Sequence, residues 1–107
     1  MREPTYFLLL SLTQQPLHGY AIAQRATELS DGRVKLSAGT LYGALDRLVA
    51  SQDLCVDREE VVQGRKRRYY RITTKGLGQL AEATQQLRAT LSVAEPLIGP
   101  GFSGVRP

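Results

Sequence analysis

The 107-residue chain has no tryptophan, one cysteine, one histidine and one methionine, and these scarcities close off classes of function. With Cys55 alone no internal disulfide can form, which fits a reducing cytoplasm. With His18 alone there is no nucleophile–base constellation, and no glycine loop able to cradle phosphates is present, so no enzyme and no cofactor are expected. His18 and Cys55 are the metal-ligand candidates, Cys55 standing near Asp53, Asp57 and Glu59, but no zinc-type spacing joins them. The competing readings are a helix-start histidine whose ring satisfies a local hydrogen bond and a small strand cysteine. Long apolar runs are missing too. The longest, Tyr6 to Leu12, is interrupted by Ser11, is too short to span a bilayer, and follows Glu3 and Pro4 with no cleavage site behind it. Neither a membrane segment nor a signal peptide is therefore expected, and the location expected is cytoplasmic.

Acids are absent where bases crowd. Arg65, Lys66, Arg67, Arg68, Arg71 and Lys75 fall within eleven residues that hold no aspartate or glutamate, inside a chain of net charge +4. Such a cluster suits an anionic partner, nucleic acid before membrane, because no amphipathic basic helix accompanies it. A solvated loop that keeps the protein soluble is the alternative.

Periodicity then divides the chain. Pro4 to Thr13 reads as a first helix, apolar on so many sides that a covering second chain is suggested. A second helix runs from His18 or Gly19 to Leu29 and stops at Ser30-Asp31-Gly32, with Gly32 suited to the left-handed position. Val34 and Leu36 form a possible short strand. Ser37 is placed to cap a third helix in which Leu41, Ala44, Leu45, Leu48 and Val49 face a core. Its other face carries Gly39, Tyr42, Gly43, Asp46 and Arg47, and its start suits phosphates. Leu54 to Val62 and Arg67 to Thr73 read as strands joined at Gln63-Gly64-Arg65, with Leu54, Val56, Tyr70 and Ile72 facing inward and the tip a loop loaded with guanidinium groups. Thr73 caps a last helix to about Glu95, ended by Pro96. Leu77, Leu80, Thr84, Leu87, Leu91, Ala94 and Ile98 step along it as a heptad seam with no partner left in so small a domain, which points to dimerisation. The fold class expected is mainly α with a small β-hairpin (α+β). Residues 1–73 would be a winged helix-turn-helix, 74–98 a dimerisation helix and 99–107 a flexible tail.

Pro16-Leu17-His18-Gly19-Tyr20, Lys35 to Tyr42 (K-L-S-A-G-T-L-Y), and Arg68-Tyr69-Tyr70-Arg71-Ile72-Thr73 followed by Gly76 resemble the PadR family of bacterial transcriptional regulators, in its short form with one C-terminal helix. The resemblance implies a homodimeric repressor whose two recognition helices enter successive major grooves of a pseudo-palindromic operator on double-stranded DNA, ~34 Å apart. Lys35, Ser37, Thr40, Tyr42 and Arg47, with Arg65, Lys66, Arg67, Arg68 and Tyr69, would contact DNA. Phe7, Leu10, Leu77, Leu80, Thr84, Leu87, Leu91 and Ala94 would form the dimer. It also implies a small aromatic or drug-like effector near Tyr6, Phe7, Leu10, Leu91 and Pro96, without the tryptophans that sandwich flat drugs in some relatives. A metal-responsive regulator, or a winged-helix adaptor that binds another protein through the seam, are the alternatives. Three positions depart from the family pattern. Gly43 and Asp46 stand where bulky or basic residues are frequent, and Asp53 replaces a glycine after the helix, where aspartate tolerates left-handed geometry.

Overall fold

The computed structural model describes residues 1–99. Its order is α1 (Glu3–Ser11), β1 (Leu17–His18), α2 (Gly19–Leu29), α3 (Ala38–Ala50), β2 (Leu54–Val62), β3 (Arg65–Ile72) and α4 (Thr74–Ile98). The strands form one antiparallel sheet ordered β1-β3-β2. Four helices and this small sheet make an α+β winged helix, as expected, but with one strand more than the hairpin alone. The extra strand is Leu17–His18, paired with Tyr70 and Tyr69. Val34 and Leu36 form none. Val34 is buried, and its backbone is satisfied by side chains, its N–H donating to Ser30 Oγ and its carbonyl accepting from Thr27 Oγ1.

α1 lies against both α2 and α4 of its own chain, and that contact explains most of its apolar surface. Leu8, Leu9 and Leu12 are buried, while Tyr6, Phe7 and Leu10 stay half-exposed. The core is completed by Ile22, Ala26, Leu41, Ala44, Leu45, Leu48, Leu54, Tyr70 and Leu80. Val56, expected inside, is 40 % exposed although it pairs with the buried Tyr70, and a bulge between Val56 and Arg58 shifts the register of β2 beyond it.

Helix ends follow side-chain chemistry. Ser37 Oγ accepts from the Thr40 N–H at 3.3 Å, and Thr73 Oγ1 accepts from the Gly76 N–H at 3.0 Å. At the C-terminus of α3, Gln52 N–H donates to Val49 O and Asp53 N–H to Leu48 O, the paired bonds of a Schellman motif. The left-handed residue there is Gln52 (φ 67°), not Asp53. α2 closes the same way with Asp31 (φ 54°) in that position and Gly32 following it, so the expected glycine sits one residue late. Pro96 does not end α4, which runs to Ile98. Proline deletes one hydrogen bond in the last turn, where Gly99 N–H still reaches Glu95 O, and the carbonyl left free there faces water.

A dense set of bonds joins α3 to α4. The Asp53 carbonyl accepts from the Thr73 N–H at 3.0 Å, the Thr73 hydroxyl donates chiefly to the Gln52 carbonyl at 2.6 Å with Asp53 O at 3.0 Å, and Lys75 Nζ donates to the Ser51 carbonyl. Gly76 makes the approach possible, since a Cβ there would collide with the Asp53 carbonyl oxygen and crowd Ile72. Further along α4, Leu80 enters the core at 5 % exposure and Thr84 Oγ1 bonds the Tyr6 hydroxyl at 2.7 Å. These two seam residues are used within the chain, against the expectation that the whole seam lacks a partner. Beyond them Leu87 and Leu91 are 52 % and 56 % exposed, and Ile98 is also open. The 99–107 tail lies, except for Gly99, outside the described residues.

Gly76→Ala should lower stability by about 1–3 kcal/mol through overpacking. Gly78→Ala, two residues on with open space around it, should gain up to about 1 kcal/mol from helix propensity. Thermal unfolding of both variants measures the contrast, and equal responses would contradict the close contact at Gly76.

Candidate nucleic-acid interface

α3 presents a start rich in donors. Lys35, Ser37, Ala38, Gly39 and Thr40 are all exposed, and apart from the Thr40 N–H taken by Ser37 the first-turn amides face outward from a positive helix end. Ser37 Oγ also donates to Thr40 Oγ1 at 3.1 Å, which orients both hydroxyls. One turn on, the Tyr42 ring lies directly over Gly19. A Cβ at Gly19 would press on the outer end of that ring and push it aside, so this glycine in the His18-Gly19-Tyr20 stretch sets where the Tyr42 hydroxyl sits. Tyr42 keeps 46 % exposure there, beside the more open Tyr20. Arg47 folds back along the helix, its guanidinium 3.7 Å from where a Cβ of Gly43 would stand.

The hairpin differs from its expected form. The turn is the two residues Gln63 (φ 52°) and Gly64 (φ 79°), so Arg65 and Lys66 belong to β3 rather than to a loop. Pairing then runs Val62 to Arg65, Val61 to Lys66, Glu60 to Arg67 and Glu59 to Arg68. Acids remote in sequence therefore meet the basic run. Arg68 Nε bonds Glu59 at 3.2 Å, Arg71 lies 3.6 Å from Asp57, and Arg58 bridges Asp57 at 3.0 Å and Glu60 at 3.4 Å. Lys75 serves the end of α3 instead. Among the described residues Arg65, Lys66, Arg67, Lys35 and Arg47 make no ion pair. Of the six cations expected at DNA, these five are free of an ion pair and Arg68 is not. The acids could have been found by counting outward from the Gln63-Gly64 turn.

A cleft between α3 and the hairpin brings Arg65, Lys66 and Arg67 together with Tyr42, whereas Lys35, Ser37, Thr40 and Arg47 do not line it. It is lined by His18, Gly19, Tyr20, Tyr42 and Asp46 on one side and by Glu59, Arg65, Lys66, Arg67 and Arg68 on the other, with Tyr70 at its floor. Burial pushes the Tyr70 phenol up, an effect the adjacent Arg68 partly offsets. Tyr69 is held between Arg58, 4.0 Å above its ring, and the edge of His18 at 5.5 Å. His18 makes no side-chain capping bond to α2, so its ring packs on an aromatic face rather than serving the helix start. His18 on β1 and Cys55 on β2 are separated by β3, and among the described residues no group of three or more His, Cys, Asp and Glu side chains is placed to hold a metal.

Of the residues assigned to an effector, Tyr6 and Phe7 line a second cleft of about 580 Å³ between α1 and α4, together with Glu3, Arg33, Gln79, Glu82 and Gln86. Leu10, Leu91 and Pro96 do not line it. Arg33 crosses its mouth, bonded to Glu3 at 3.0 Å and stacked 5.6 Å from the Phe7 centroid. None of the described helices is long and apolar enough to cross a membrane.

Residues 8–82 match the transcriptional regulator PadR-like family. A transcriptional regulator of Mycobacterium tuberculosis is 40 % identical over 83 residues, covering 78 % of this chain and 71 % of that one. Among solved structures, a PadR family regulator from Clostridium difficile superimposes with a TM-score of 0.75 at 23 % identity, over 92 % of this chain and all of that one. Bacillus subtilis PadR, crystallised with operator DNA, gives a TM-score of 0.69 at 18 % identity, over 99 % of this chain and 54 % of its own.

The environment of His18 lowers its pKa from the usual 6.5, through burial first and the charge of Arg67 second. The folded chain therefore binds fewer protons than the unfolded one just below that value, and stability should fall as pH drops through 6.5. An NMR titration of the imidazole should find a midpoint below 6.5 that rises in Arg67→Ala; a midpoint unmoved by the substitution would contradict the assigned contact.

Proposed function

The chain belongs to the PadR-like family of transcriptional regulators, and on that premise we propose that it is a homodimeric repressor that binds a pseudo-palindromic operator and is released by a small-molecule effector. The observation that carries the DNA-binding part is the hairpin end, where Arg65, Lys66 and Arg67, without ion pairs among the described residues, line one cleft with Tyr42 of α3, the same helix whose capped start is exposed outside that cleft. Ser37, Thr40 and Tyr42 offer hydroxyls to phosphates from the helix side. Lys35 and Arg47 add charge there, and the hairpin cations grip the neighbouring backbone. Arg68 and Tyr69 act less directly, since each is already held by a neighbour in the hairpin. These contacts fix register, whereas base edges must supply choice.

Dimerisation is supported by the distal part of α4. Leu87, Leu91 and Ile98 form a stripe beyond the point where the domain supports the helix, and so short an isolated helical segment is marginal in water. A second copy packing along this stripe, with Leu77 and Ala94 and the half-exposed Phe7 and Leu10 beside it, would stabilise it and pair the two DNA-binding units. The cleft at Tyr6 and Phe7 adjoins that seam and is of the size that takes a small aromatic ligand. An effector seated there would bias the spacing of the two units.

Affinity for duplex DNA from the gene's own upstream region should fall linearly as log affinity against log salt. Arg65→Ala, Lys66→Ala and Arg67→Ala together should weaken binding to all duplexes and flatten the slope by about one per lost contact. An unchanged slope would remove the hairpin from the interface. Binding that is weak and indifferent to sequence would favour a protein-interaction adaptor.

The Leu87→Asp, Leu91→Asp double variant should sediment as a monomer and lose operator affinity while its core, built on Leu8, Leu9, Ile22 and Leu45, still melts cooperatively. A variant that remained dimeric would place the interface elsewhere.

A further inference from the structure

We infer that Asp46 is a specificity-determining residue that reads a cytosine amino group in the major groove, an inference that rests on the DNA-binding function proposed above. Asp46 is exposed on the outward face of α3 and lines the cleft, in the middle of the helix, where a carboxylate caps nothing. It has no ion-pair partner among the described residues. The helix supplies none, for Tyr42, Gly43, Val49 and Ala50 occupy the positions three and four residues away. Arg47, its neighbour, is turned over Gly43. The other carboxylate of the cleft, Glu59, is by contrast tied to Arg68.

Asp46 thus adds nothing visible to the fold and repels the phosphates that the surrounding cations attract. A free carboxylate can only accept hydrogen bonds, so what offsets that cost must be a donor. In the major groove guanine shows two acceptors, thymine an acceptor and a methyl, and adenine an amino group beside the repelling N7 acceptor. Cytosine shows its N4 amino group with no acceptor of its own next to it. Gly39, with open space around it, carries no side chain that would hold this face away from the groove floor, which suits the short reach of an aspartate.

Selection by the full-length protein from a randomised duplex library, followed by affinity measurement, tests the assignment. The wild type should require cytosine at one position of each half-site, replacement there weakening binding about 5- to 150-fold. Asp46→Asn should move the preference at that position to adenine, whose N6 and N7 match an amide. Asp46→Ala should lose the preference and bind unrelated duplexes more tightly. If both variants keep the wild-type base preference and merely bind every duplex more tightly, Asp46 is a repelling charge and the inference is overturned, with DNA binding intact. A wild type that binds no duplex in a salt-dependent manner overturns the underlying function, and the inference with it.

Discussion

The contact between the Asp53 carbonyl and the first turn of α4 sets the geometry of the whole protein. Thr73 donates to that carbonyl from its amide and to the preceding Gln52 carbonyl from its hydroxyl, and Gly76 leaves room for the approach. The Schellman motif places Asp53 immediately after α3, so α3 and α4 are joined through a span of backbone with almost no slack. Whatever fixes α4 in space also aims α3. Under the function proposed above, that is the link between holding two copies together and presenting both to one duplex.

The hairpin obeys a second constraint, set by charge. Its register lays Asp57, Glu59 and Glu60 beside the basic strand, so part of the positive charge is spent on shaping the wing. Exposed ion pairs of this kind contribute little to stability. Their consequence is selective, because Arg65, Lys66 and Arg67 near the turn stay unpaired while Arg68 and Arg71 are held. The free charge is thereby concentrated toward the end of the hairpin flanking the cleft.

Much of this was legible in the sequence because it is local. Ser37 and Thr73 mark helix starts through chemistry that acts within three residues, and the leucine spacing of α3 gives its buried face without knowledge of what covers it. The limits of β2 were equally plain from its Val-rich run between turn residues. What escaped depends on distant partners. Leu17–His18 is a strand only because β3 lies beside it, and Val34 is satisfied by two side chains rather than by a sheet. Gly32 is left-handed as expected, but Asp31 before it and Gln52 after α3 are left-handed too, where the hydrogen-bond pattern of the helix end outweighs the preference for glycine. The heptad seam of α4 hid a division of labour, since Leu80 and Thr84 serve their own chain and Leu87 and Leu91 do not.

These features define a unit in which the turn after α3 is hydrogen-bonded to the start of a long, partly unsupported α4. The most direct test of that arrangement is a phosphate-interference footprint on the operator. Two copies joined through α4 predict two matching clusters of essential phosphates, centred about one helical turn (~10 bp) apart on the duplex. A single cluster, or two clusters whose separation varies from one operator to another, would contradict it.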